Sequence, residues 1–215
     1  MARHPNLIVV RASDASIHER WLTGVERNFD LMVSYSGDQP GRFGQGVEYY
    51  VQMKGPEWPG HHAILSHYMK LIGNYERIAI VRDDIDADAA VWKALLYCAE
   101  WFGIDILHPS VSGTAATDLT RPHPGCILRY VNVVDSLAPI FSRRALERVM
   151  GTFSSGLPEG ELPLAWSRYL TWPEYRCAIV DTASVTRTRH AWSTPARAAI
   201  EIREHARLRI AHEET

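Results

Sequence analysis

The chain has 215 residues and a formal net charge of −2, with 46% hydrophobic and 22% charged residues. That is ordinary globular usage at the length of one large domain or two small ones, and the near-neutral balance argues against nucleic acid or an anionic membrane as a partner. No apolar window reaches the length a bilayer-spanning helix needs, and the opening "MARHPNLIVV" has too short an apolar run for a signal peptide. The cysteines, Cys98, Cys126 and Cys177, are widely spaced and form no CxxC pair, so reduced, mostly buried thiols in a cytoplasmic protein are expected.

In chain order, "NLIVVR" (6–11) predicts a short strand buried on both faces. Ser16 and Glu19 have capping-box spacing, which predicts a helix starting near Ile17. "FDLMVSY" (29–35) reads as a second strand, the Gly-rich 36–46 as a loop, and the alternating, aromatic "VEYYVQMK" (47–54) as a half-buried strand. After the breaker "GPEWPG", a helix is expected over 61–75. A strand follows over 77–82, then a helix over 89–102 that stops at Gly103. Strands are expected at 105–111, 126–134 and 176–182, a loop over 112–125, a helix after Ser142, a flexible loop over 154–163 and a short helix over 164–171. Thr194 and Pro195 make a good helix opening. The apolar positions Ala199, Ile202, Ala206 and Ile210 then recur at helical spacing. The division expected is therefore one domain over 1–192 and a C-terminal helix over 193–215, packed on that domain or forming a homodimer contact. Strands alternating with helices imply an α/β fold whose largely parallel sheet is covered on both faces.

In such sheets ligands bind beyond the carboxyl ends of the strands. "VRDDIDAD" places Asp83, Asp84 and Asp86 there, just past the strand at 77–82. Adjacent carboxylates repel and raise one another's pKa, and a divalent cation relieves that repulsion. Mg²⁺ or Mn²⁺ is typically held by one or two carboxylates plus phosphate oxygens, so the cluster suggests a metal-diphosphate site. Asp86 or Asp88 capping the helix at 89–102 is the competing reading. No phosphate loop, GxSxG turn or GxGxxG fingerprint is present, and the adjacent His61 and His62 lack HExxH spacing and read as surface or core histidines.

Six stretches in order, "NLIVVRASDASIHERWL", "RNFDLMVSYSGD", "KGPEWPG", "VRDDID", "LAPIFSRRAL" and "IVDTASVTRTR", together resemble the DUF707 family of glycosyltransferase-like proteins over about residues 5–190. The resemblance implies a single-domain, three-layer GT-A-like fold with a mostly parallel mixed sheet. It also implies a nucleotide-sugar donor bound by Arg11, Ser13, Asp14, Asp30, Lys54, Gly55 and Asp83. By the same resemblance the DxD-type motif falls on Asp84, which with Asp86 would hold Mn²⁺ or Mg²⁺. For Asp30 a structural strand-end role stands beside the ligand role, for Lys54 a solvated lysine, and for Trp58 a place in the core.

The chain departs from that family at the site. Arg82 stands where an acidic residue is usual, and "PEGELPLAW" replaces "SGWGLD". "RTRH" replaces "HTRP", so Arg187 sits where a histidine would be, and Asp135 replaces a glutamate. Guanidinium groups pair bidentately with phosphate, so Arg82 and Arg187 are expected either to do part of a cation's work on the leaving diphosphate or merely to pair with nearby aspartates. Asp135, Glu159 and Glu161 are the candidates for the group that takes the acceptor's proton. The expected activity is sugar transfer from a nucleoside-diphosphate donor to an unknown acceptor. The alternative is a non-catalytic nucleotide-sugar or glycan-binding protein on the same scaffold.

Overall fold

The computed structural model describes residues 2–189 and 202–206. The strands are β1 (Asn6–Ala12), β2 (Phe29–Tyr35), β3 (Tyr49–Gln52), β4 (Arg77–Arg82), β5 (Ile85–Asp86), β6 (Ile106–Ser112), β7 (Leu128–Val131), β8 (Ile140–Ser142), β9 (Cys177–Arg187) and β10 (Ile202–Ala206). The helices are α1 (Glu57–His67), α2 (Met69–Ile72), α3 (Ala89–Trp101), α4 (Arg143–Val149) and α5 (Leu162–Tyr169).

The strands form one mixed sheet in the order β10-β7-β9-β6-β8-β4-β1-β2-β3, with β5 pairing β9 off that path. The pairings set β1, β2, β3, β4, β6, β9 and β10 in one direction and β5, β7 and β8 against them. Alternate residues of β1 serve opposite faces. Leu7 and Val9 join a core with Trp58, Leu146, Phe153 and Trp166, under α1, α4 and α5. Ile8 and Val10 join another with Trp21, Trp92, Leu95 and Leu96, under α3. Burial on both faces is why β1 reads as an unbroken apolar run, and the sheet is covered on both faces as expected.

Several boundaries differ from expectation for local reasons. Ser16 does not cap a helix: its Oγ lies 2.6 Å from His18 Nδ1, and the segment His18–Leu22 is a 3-10 helix without a side-chain cap. The helix expected over 61–75 starts at Glu57, because Pro59 falls in the first turn, where no N–H is needed; it breaks at Tyr68, before α2. Asp88 does cap α3, accepting from Val91 N at 3.0 Å. β8 was not expected: three residues of "PIFS" slot antiparallel between β4 and β6 and run directly into α4, capped by Ser142. The helix expected over 193–215 is corrected at 202–206, which pair antiparallel with β7 as β10; its remaining positions lie outside the described residues.

The loop at 112–125 is tied down by a buried ion pair. Arg129 on β7 and Asp181 on β9 are 0% and 1% exposed at their side chains. Nε and Nη2 of Arg129 reach the two Asp181 oxygens at 2.8 and 3.0 Å, and Nη2 also donates to the Leu119 and Arg121 carbonyls. Removing one partner of such a pair strands a buried charge. Asp181→Ala is therefore expected to cost about 3–5 kcal/mol in denaturant unfolding, whereas breaking the exposed pair Lys54–Asp38 is expected to leave stability nearly unchanged.

Candidate functional site

Arg11 and Arg82 are register partners at the carboxyl ends of the parallel strands β1 and β4. They open onto a cleft of about 380 Å³. Arg11 is a scaffold cation. It is 6% exposed, and its guanidinium donates to Ser34 Oγ at 3.2 Å and to the Met53 and Gly55 carbonyls at 3.1 and 3.0 Å. Gly55 has φ +119, a conformation that side chains rarely adopt. A Cβ on Gly60 would fall 2.2 Å from Arg11 Nη1, so that glycine is what lets α1 approach.

The turn after β4 forms the cleft's other wall. Asp83 Oδ2 accepts from Ser13 N at 2.8 Å and from Ser13 Oγ at 2.6 Å, while Oδ1 is held by Arg189. Asp84, 2% exposed, accepts from Arg187 Nε at 2.9 Å. Its Oδ1 faces Arg82 Nε at 3.6 Å, and Arg189 Nε lies 3.9 Å from its Oδ2. Three guanidinium groups thus surround one buried carboxylate. Arg187 ends β9, and the bend that follows carries Arg189. The pairing of Ile85 with Arg187, and the 2.9 Å bond from Thr188 N to the Asp84 carbonyl, hold that segment against the turn.

Arg82 has a second set of partners. Its Nη1 is 3.1 Å from Glu57 Oε2 and 2.6 Å from Glu159 Oε1. Burial raises the Glu57 carboxyl to about 7; Arg82 works against the shift, and Glu159, Asp83 and Asp84 add to it. Beneath them His61, 0% exposed, is pushed down to about 3 by burial and by the charges of Arg11 and Arg82, so it stays neutral. Trp58 lies in the core at 6% exposure.

Of the residues singled out in the sequence, Arg11, Ser13, Gly55, Arg82, Asp83, Asp84 and Arg187 come together around the cleft. Asp14 stands nearby, accepting from Tyr35 Oη at 2.5 Å and Arg42 at 3.2 Å. Asp30 sits near the opposite end of its strand, where it accepts from Tyr75 Oη at 2.7 Å and Arg3 N at 2.9 Å; its role there is structural. Lys54 is exposed and paired with Asp38. Asp135 accepts from Leu137 N at 3.0 Å, Glu161 is exposed, and neither lines the cleft. The cleft residues that sequence reasoning missed are Ser36, Glu57 and Arg189. The alternation of "RTR" could have revealed Arg189; Glu57 was hidden inside a stretch that reads as a turn.

The donor set does not fit a divalent cation. Asp84 Oδ2 is bonded by Arg187 with Arg189 near it, Asp84 Oδ1 makes no hydrogen bond but faces Arg82 at 3.6 Å, and Asp83 is taken by Ser13 and Arg189. Asp86 turns to Arg20 at 2.7 Å. Among the described residues no three His, Cys, Asp or Glu side chains gather into a metal-holding group. A dication here would meet guanidinium repulsion before it met a free carboxylate.

No family model matches the chain, and no curated protein matches it. Solved structures do. Staphylococcus aureus TarS is 10% identical, with TM-score 0.56, over 86% of this chain and 36% of that one. TarS residues 1–349 are 13% identical, with TM-score 0.57, over 85% of this chain and 60% of that one. The same fragment in complex with UDP-GlcNAc is 11% identical, with TM-score 0.56, over 90% and 61%. The chain therefore spans less than two thirds of these relatives. The likeness shows the fold alone, a GT-A-like mixed α/β architecture. No helix among the described residues is long and apolar enough to cross a membrane.

Mn²⁺ is expected to bind this site no tighter than about 1 mM, measured by the loss of its free electron paramagnetic resonance signal. Arg187→Ala with Arg189→Ala is expected to tighten that binding by unmasking Asp84.

Proposed function

We propose that the chain transfers a sugar from a nucleoside-diphosphate donor to an acceptor hydroxyl or amine, using arginines where related sites use a metal. The observation that carries this reading is the set of guanidinium groups, Arg82, Arg187 and Arg189, gathered over Asp83 and Asp84 at a strand end that opens into the cleft. Two further facts support it. The same fold holds UDP-GlcNAc in one TarS structure and UDP in another, and the six sequence blocks resemble the DUF707 family.

The arginines divide the work. The Arg187 side chain is 7% exposed and locked on Asp84, so its charge is largely cancelled and its role is to hold the turn. Arg189 is 42% exposed and rests on Asp83 and Ser13. It is the cation free to exchange a carboxylate for a phosphate, and a charge-assisted bidentate bond rewards that exchange. As the sugar's bond to the diphosphate breaks, negative charge grows on the leaving oxygen, and fixed guanidinium groups in a recessed site stabilise it.

The saturation of Asp83 and Asp84 by arginine also favours a second reading, a protein that binds nucleotide sugars without turning them over. A panel of UDP, GDP, dTDP and CMP sugars separates the two. Binding together with nucleotide release supports transfer, and binding without release supports the second reading. No binding to any donor, with or without Mn²⁺, defeats both. In the chain that binds a donor, Arg189→Ala is expected to weaken nucleoside-diphosphate affinity by about tenfold, the equivalent of one charge-assisted hydrogen bond, as read by calorimetry.

A further inference from the structure

We propose that Glu57, rather than Asp135, Glu159 or Glu161, takes up the acceptor's proton; this rests on the transferase reading. Asp135 and Glu161 fall out on position, since neither lines the cleft. Glu159 and Glu57 both reach Arg82 Nη1, but unequally: Glu159 is pinned at 2.6 Å and Glu57 stands off at 3.1 Å. Glu57 lines the cleft beside Arg11, Arg82 and Asp84. Its side chain remains 30% exposed, so an acceptor in the cleft can reach it.

Arg82 is shared between Glu57 and Glu159. The groups facing Glu57 are Arg82 from β4, Arg11 from β1, Glu159 from the turn before α5, and Asp83 and Asp84 from the acidic turn. Arg187 and Arg189 are occupied by Asp84 and Asp83. Burial of Glu57 beside Arg82, with Glu159, Asp83 and Asp84 close by, disfavours its ionised form, and a proton added to Glu57 relieves that cost. A carboxylate poised near neutrality is suited to general-base work, because it is deprotonated yet holds a proton firmly once given one. The step balances. The acceptor oxygen forms a bond to the anomeric carbon, and the bond from that carbon to the diphosphate oxygen breaks. The electron pair leaves on the diphosphate, and the acceptor's proton passes to Glu57.

The test uses the donor panel above with water as acceptor, following nucleotide release between about pH 5 and about pH 9, with donor binding measured separately by calorimetry. Glu57 must be ionised to act, so wild-type release should rise with pH through an acid limb near 7. Glu57→Gln should bind the donor within about threefold of wild type and lose about 100-fold in release, the order of one general base. Its acid limb should disappear, and Glu159→Gln should keep one. Glu57→Asp should restore part of the rate and move the limb, which keeps the proposal testable should Glu57→Gln fail to fold. A Glu57→Gln or Glu57→Asp protein with wild-type rate and an unmoved limb overturns the proposal. Donor binding without release by wild type at any pH also overturns it and leaves the binding reading standing. No donor binding at all removes the transferase reading, and this step with it.

Discussion

The cleft depends on the short antiparallel pairing of β5 with the end of β9. Asp84 is 2% exposed, and a carboxylate that deep is tolerated only when paired. Two of its three arginine partners come from more than a hundred residues away. The register of Ile85 with Arg187 and of Asp86 with Thr186 brings Arg187 onto Asp84, and the next residues carry Arg189 to Asp83. Asp83 in turn holds Ser13 and so fixes the loop after β1. The nearby 3-10 helix is hung from the same turn, through Ile17 N on the Asp83 carbonyl at 3.0 Å. A two-residue strand thus organises three segments that are remote in sequence.

The same pairing sets guanidinium groups around the carboxylates of the acidic turn. Arginine carries a permanent charge and a planar fork, so it can answer a buried aspartate and still present nitrogen to a ligand. A metal would need several free carboxylate oxygens, and here most are bound by Ser13, Arg187, Arg189 and Arg20, while Asp84 Oδ1, which makes no hydrogen bond, faces the Arg82 guanidinium at 3.6 Å. Asp86 shows the divergence most plainly. It sits two residues from Asp84, which lies in the turn before β5, yet its carboxylate pairs with Arg20.

Much of the architecture was legible because it is locally encoded. The apolar runs of β1, β2 and β4 and the Asp88 cap of α3 need no distant partner to be recognised. What was not legible was set by distant partners. β8 is three residues long and exists only because β4 and β6 flank it. Residues 202–206 carry a helical pattern yet pair with the edge of β7, a preference no single segment displays. The site follows the same division. Arg82, Asp83, Asp84 and Arg187 could be named from motif and strand end. Asp30 could not be told from a ligand, because its partner Tyr75 is 45 residues away. Glu57 was concealed by "GPEWPG", whose prolines look like punctuation although Pro59 sits inside the first turn of α1.

Glu57 also has an optically useful neighbour. Trp58 follows it on α1 and meets Phe153 at 4.8 Å and Trp166 at 5.4 Å between ring centroids, both edge to face. The segment carrying Glu159 runs from Phe153 toward Trp166, and Glu159 meets Glu57 on Arg82. Any rearrangement of the Glu57–Arg82–Glu159 bridge therefore strains the packing of two indoles, whose emission depends on their surroundings. Trp58 and Trp166 are thereby placed to report, through their emission, a change at the Glu57–Arg82–Glu159 bridge.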